Sequence, residues 1–163
     1  APNGKYKAFI SSDISIDILE QILRGRSNPE GENIYLNGLC LMTGDSIKSL
    51  YYPLSDQSTW KLGSCITNLA WSLDSDIIYF TNGDQVISSY GVYAYDLNTH
   101  SIVAIASGIL NRVIPDGEYR GYLEVTTSYY AKEGGCYWYK AALSPDGETK
   151  IKLSEPSLNM PED

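Results

Sequence analysis

Positive charge is scarce in this sequence. Twelve Lys and Arg stand against twenty Asp and Glu, a formal net charge of −8 with a pI of about 4.6. Phosphate contacts need clustered Lys and Arg, so nucleic acid is not an expected partner. An anionic membrane surface is disfavoured for the same reason, whereas a basic protein would be steered in by such a field. Long apolar runs are also missing: no stretch of about twenty apolar residues exists, so no membrane insertion is expected. The first residues do not read as a secretory leader. Histidine is down to one residue, His100, and cysteine to three, Cys40, Cys65 and Cys136. Three cysteines cannot all pair within one chain, and no two sit at metal-ligand spacing. One disulfide with a free thiol fits a secreted protein and three thiols fit a cytosolic one; the sequence leaves both open.

These scarcities bear on catalysis. A Ser-His-Asp arrangement needs a buried, oriented imidazole, but His100 falls in Asn98-Thr99-His100-Ser101, which reads as a hairpin turn. There is no Gly-x-Ser-x-Gly elbow and no Gly-Lys-Ser/Thr phosphate loop. The cysteines read as strand residues or disulfide partners rather than nucleophiles. Carboxylates are plentiful, but Asp74, Asp76, Asp84, Asp116, Glu118 and Asp146 mostly lie in turn sequences, where an aspartate usually serves its own backbone. Asp13 and Asp17 sit at an expected helix start, where they favour the dipole. None of these has calcium-loop spacing. The expectation is a protein without catalytic residues, cofactor or metal.

What the sequence does have is tyrosine, fourteen against two phenylalanines, a residue that suits strands and half-wet surfaces. It also has a phrase that recurs. Pro2-Asn3-Gly4-Lys5-Tyr6-Lys7-Ala8-Phe9, Leu73-Asp74-Ser75-Asp76-Ile77-Ile78-Tyr79-Phe80 and Pro115-Asp116-Gly117-Glu118-Tyr119-Arg120-Gly121-Tyr122 are each a tight turn leading into a strand with a central aromatic. The steps between them are about 71 and about 42 residues, and a repeated β-unit of about 40–45 residues is the length of a propeller blade. The longer first step leaves room for a helix. Ile14, Ile18 and Ile22, with Leu19 and Leu23, make a helical stripe that Gly25 can end, so a short helix is predicted over Ser15–Arg24.

Around these phrases the pattern predicts strands at Lys5–Ser12, Ile34–Met42, Ile47–Tyr52, Thr67–Ser72, Asp76–Thr81, Val92–Leu97 and Ser101–Ala106. A long strand is predicted at Tyr119–Tyr130, then Cys136–Leu143 and Thr149–Leu153 across Ser144-Pro145-Asp146-Gly147. Thr43–Ser46 and Asn98–His100 read as hairpin turns, Asn82–Ser89 as a loop, and Ser154–Asp163 as an irregular tail. The fold expected is all-β: three propeller-like antiparallel blades, a partial or open propeller with one short inserted helix, in a single domain spanning 1–163.

The turn-strand phrases, each followed by a hairpin such as Gly91-Val92-Tyr93-Ala94-Tyr95-Asp96-Leu97-Asn98, resemble the WD40-like repeats of TolB-type β-propellers. There a Ser-Pro-Asp-Gly-Lys turn precedes a strand and a Tyr-Asp-Leu phrase closes another. Three units fall short of a closed propeller. That leaves a fragment, pairing with a copy of the chain as a homodimer, or a small twisted assembly. In size, charge and repeat style the chain also resembles periplasmic immunity proteins that block cell-wall-degrading effectors of type VI secretion. That resemblance implies a secreted or periplasmic inhibitor presenting a loop to the cleft of a basic hydrolase. The loop anchors would be Trp60 and Tyr90, with Asp84, Gln85, Ser88 and Ser89. The run Tyr129–Tyr139, with Tyr137-Trp138-Tyr139 at its densest, reads equally as core strand and as binding surface. The alternatives are a carbohydrate- or cell-wall-binding module and a propeller fragment of a larger enzyme.

Overall fold

The structure is a computed structural model that describes residues 1–11, 38–51, 64–84 and 89–161. All regular structure among them is β. The strands are β1 (Lys7–Ser11), β2 (Gly38–Thr43), β3 (Ser46–Tyr51), β4 (Ser64–Trp71), β5 (Ile77–Asp84), β6 (Ser89–Asp96), β7 (Ser101–Ser107), β8 (Ile109–Val113), β9 (Leu123–Tyr130), β10 (Cys136–Leu143) and β11 (Lys150–Lys152). They form three antiparallel sheets, β1-β2-β3, β4-β5-β6-β7 and β8-β9-β10-β11, each a meander in which neighbours in sequence are neighbours in space. The all-β expectation holds. The helix predicted over Ser15–Arg24 lies outside the described residues.

The chain divides into two compact units, one of Ala1, Asn3–Thr67 and Asn82–Ser89, the other of Pro2, Asn68–Thr81 and Tyr90–Asp163. In the first, β2 is the buried centre of its sheet. Leu39, Cys40 and Leu41 are enclosed, with Phe9 opposite Cys40 on one side and Ser49 opposite it on the other. Gly44 takes the left-handed conformation (φ +57°) that the tight β2–β3 turn demands.

In the second unit two sheets share one core. Tyr79 and Val92 come from β5 and β6; Leu110, Leu123, Val125, Ala141 and Leu143 come from β8, β9 and β10. The strand period of two explains the selection: Leu123 lies opposite Leu143 and Val125 opposite Ala141, so all four point to one face. A single residue joins the sheets. Gly108 separates β7 from β8 and adopts φ +136°, which side-chain-bearing residues rarely reach. Its N–H donates to the Tyr90 carbonyl at 2.9 Å, and a Cβ there would sit 2.7 Å from the Thr126 carbonyl oxygen. Beside it, the Thr127 hydroxyl donates to the Ser107 carbonyl and the buried Leu110 N–H donates to Thr81 Oγ1.

The turns explain where the strands break. Between β4 and β5 the Ser72 hydroxyl donates to Asp74, the Asp76 N–H donates to the same carboxylate, and the Ile77 N–H donates to Ser72 Oγ. Between β10 and β11 the same bonds recur with Ser144, Asp146, Glu148 and Thr149. Ahead of β1, Lys5 N–H donates to Asn3 Oδ1 and the terminal ammonium of Ala1 donates to the Tyr6 carbonyl, with no serine hydroxyl involved. Pro115-Asp116-Gly117 closes differently, through Ile114 N–H to the Tyr122 carbonyl and Gly121 N–H to the Ile114 carbonyl. The long strand expected from Tyr119 therefore starts only at Leu123. Gly117 and Gly121 both have positive φ, and the residues between them are turn.

The hydroxyl and N–H donors hold Asp74 and Asp146 below the usual carboxylate range, Ser72 and Ser144 being the larger cause in each. A depressed folded pKa stabilises the fold above the unfolded value of about 3.9 and ceases to do so as pH falls through the folded one. Urea midpoints should therefore drop on going from about pH 5 to about pH 2.5. Replacing both aspartates with Asn should flatten that drop; an unchanged drop would remove these turns from the acid response.

Candidate functional site: an aromatic stripe on one sheet

The face of β9 and β10 that buries Leu123 and Val125 at one end continues, by the same alternation, into aromatics at the other. Thr127 lies opposite Tyr139 and Tyr129 opposite Tyr137. Tyr129 and Tyr137 stack with centroids 5.8 Å apart, and Tyr139 meets Tyr129 edge-on at 6.1 Å. Lys150 from β11 places its ammonium 5.2 Å from the Tyr139 ring centre and donates to Thr127 Oγ1. On the opposite face stand the half-buried Trp138 and Tyr130, the latter 83% exposed. The hairpin tip is shaped by Gly134 and Gly135, both at positive φ, with Ala131 N–H bonded to the Gly135 carbonyl.

The C-terminal segment adds a row. Ser157 bridges antiparallel to Trp138, which sets Leu158 next to Tyr137, and a Cβ on Gly135 would touch both. The stripe thus runs Tyr129–Tyr137–Leu158 across three chain segments, with Tyr129 and Leu158 exposed at its ends. The tail expected to be irregular is in this respect part of the sheet. No sequence signal marks Leu158; its place follows from the hydrogen bonds at Ser157.

Of the residues expected to bind a partner, Trp60, Gln85 and Ser88 lie outside the described residues. Asp84 ends β5 and Ser89 begins β6, so Asn82–Asp84 extends a strand where a loop was expected. Tyr90 is half-buried within β6, and its carbonyl serves the Gly108 crossing. The loop of Asn82–Tyr90 is accordingly shorter than expected, and Tyr90 is a sheet residue.

The groups singled out for chemistry are spread over the fold. His100 is exposed in the β6–β7 turn at φ +56°, its Nδ1 3.2 Å from the Tyr95 hydroxyl. In the same turn Asp96 accepts from the Thr99 and Asn98 N–H groups, which hold its carboxyl low. Cys40 and Cys136 are free thiols; burial pushes the Cys40 thiol up, against a smaller opposing effect of the Ser49 hydroxyl. Among the described residues no three His, Cys, Asp or Glu gather as metal ligands, and no helix is long and apolar enough to cross a membrane. The stripe is suited to contact: rigid aromatic area on one side of a sheet whose other end is anchored in a core. No protein-family model matches the chain, and no curated protein is significantly similar to it.

Proposed function

We propose that this chain is a non-catalytic protein-binding module, its three meanders acting as WD40-like propeller blades that present a stiff recognition surface. The observation that carries the reading is the exposed aromatic stripe of β9 and β10. Tyr and Trp on a rigid support lose little conformational freedom on binding and dominate interface energetics. The net charge of −8 suits a basic partner. Within this reading the chain is a secreted or periplasmic inhibitor, of the immunity-protein kind, that occludes the cleft of a cell-wall-degrading hydrolase.

The test is binding by a paired variant. Tyr129→Ala with Tyr130→Ala should weaken capture of the partner from a periplasmic extract by about thirtyfold or more, the scale of an interface anchor, with little change in melting temperature, while Tyr130→Ala alone, on the face of β9 opposite the stripe, should leave capture nearly unchanged. Capture should also fall steeply with salt. Undiminished capture by the double variant would remove the stripe from the interface. The carbohydrate-binding alternative makes a different forecast: cell-wall glycan would bind at high salt and quench tryptophan fluorescence at Trp138.

A further inference from the structure

Strand β10 is longer than its partner on one side. β11 pairs only with Ala141, Ala142 and Leu143. Beyond it the chain bulges: the Lys140 carbonyl accepts from both Leu153 and Ser154 N–H groups, and Lys140 N–H donates to Ser154 Oγ. Pairing with the backbone of β10 resumes as a bridge at Ser157. Its N–H donates to the Trp138 carbonyl at 2.9 Å, and its carbonyl accepts from the Trp138 N–H at 2.7 Å. This makes Trp138 and Ser157 a hydrogen-bonded pair. Pro156 and Leu158 fall at the flanking positions, whose N–H groups point away from the ladder. Proline is tolerated there because it has no donor to lose. Leu158 falls opposite Tyr137, the two side chains flanking Gly135, and stays 63% exposed. The Lys152–Glu155 ion pair at 3.0 Å is solvent-exposed and holds the segment weakly.

We propose that the edge of β10 from Cys136 to Tyr139 is a strand-addition site. The chain's own segment, residues 154–161, fills it here, and an extended Pro-x-aliphatic segment of a partner protein takes it over when that segment lifts. This rests on the protein-binding reading and names how the partner docks. Strand addition draws affinity from main-chain hydrogen bonds and specificity from alternate side chains. The resident segment displays both: one exchanged pair of backbone bonds, and an aliphatic side chain laid beside the Tyr129–Tyr137 stack. Over Cys136–Tyr139 its hold is the two Ser157–Trp138 hydrogen bonds, with Ser154 bonded to Lys140 at the near end, reinforced by tethering, which gives a short linked segment an effective concentration of about millimolar. A free peptide competes only once that tether is disarmed.

The experiment uses the full chain and, as probe, a fluorescent peptide with the sequence of residues 154–161. Ser157→Pro deletes the N–H given to Trp138 and frees the edge. By anisotropy this variant should bind the probe at least about tenfold more tightly than the unsubstituted chain, and a probe carrying Leu158→Ser should lose that gain. If Ser157→Pro does not fold, Leu158→Ser in the chain loosens the same segment and is measured the same way. A folded variant that ignores the probe overturns the proposal. So does one that elutes as a dimer, since the occupant would then be a second copy's tail. Failure here with a working Tyr129/Tyr130 dependence sinks strand addition alone; probe binding without that dependence sinks the functional reading.

Discussion

Leu123→Ala is expected to destabilise the protein by about 3 kcal/mol, within the range for emptying a buried leucine site. Leu123 is fully enclosed and opposes Leu143 at the start of β9, where both sheets of the second unit contribute to one core. Its core neighbours are strand residues held by backbone ladders, on both sides in β5, β6, β9 and β10, so the site cannot readily collapse around the missing atoms. The measurement is a urea midpoint at unchanged m value, with Tyr130→Ala as reference. Tyr130 sits in the same strand but is largely in water, and its removal should shift the midpoint little. A loss below about 1 kcal/mol for Leu123→Ala, smaller than any leucine-to-alanine change in a well-packed core, would contradict the shared core.

Gly108→Ala should be comparably damaging for a different reason. Two penalties add: a backbone conformation that favours glycine, about 1–3 kcal/mol when imposed on another residue, and a methyl group 2.7 Å from the Thr126 carbonyl oxygen. The neighbour is main chain in a central strand, so it cannot swing aside. The useful comparison is Gly117→Ala. Gly117 also has positive φ, but nothing lies near the position of its Cβ, so only the conformational penalty of about 1 kcal/mol applies. Thermal unfolding of the two variants separates the terms, and equal losses would show that the close approach at Gly108 contributes nothing.

The strand pattern was legible because turns and period-two alternation are local. The β6–β7 and β2–β3 hairpins and the whole of β10 fall where the sequence places them. The misplacement at Tyr119–Tyr130 shows the limit of that reading. Alternation runs on through Tyr122, but the hydrogen bonds of Gly121 and Ile114 commit this stretch to a turn, and alternation alone does not register that. The recurring phrase shows the same limit from the other side. By letters Pro115-Asp116-Gly117 is a good match to the others. By bonding, the counterpart of Ser72-Leu73-Asp74-Ser75 is Ser144-Pro145-Asp146-Gly147, because both begin with a serine whose hydroxyl bridges the aspartate and the N–H five residues on. Ile114 has no hydroxyl to do this.

The aromatic stripe was half legible. Tyr137-Trp138-Tyr139 stands out in the sequence, and alternation says that the two tyrosines share a face. That Tyr129 stacks on Tyr137 depends on cross-strand register, fixed by the two-glycine tip. That Leu158 joins them depends on a bridge formed nineteen residues further along the chain from Trp138. Contacts of that kind have no local signature. Of the loop residues expected to lead, Tyr90 alone has a described side chain, and its strand placement reflects β5 and β6 running further than the polar residues Asn82–Ser89 suggest.

The serine–aspartate turns close on themselves, and in the sheets β4–β7 and β8–β11 each strand pairs with one that follows it closely in the chain. Loop closure between such neighbours is short and therefore rapid, which is the low-contact-order regime of β-topology. Each of these two meanders can zip up in chain order, hairpin by hairpin, without waiting for distant sequence, whereas β1 must wait for β2 across residues 12–37. What cannot form early is the shared interior of the second unit, which must await Leu143, near the end of the chain. Synthesis halted before that residue would leave Tyr79 and Val92 uncovered, the moment at which this protein is most exposed to clumping with its own nascent copies.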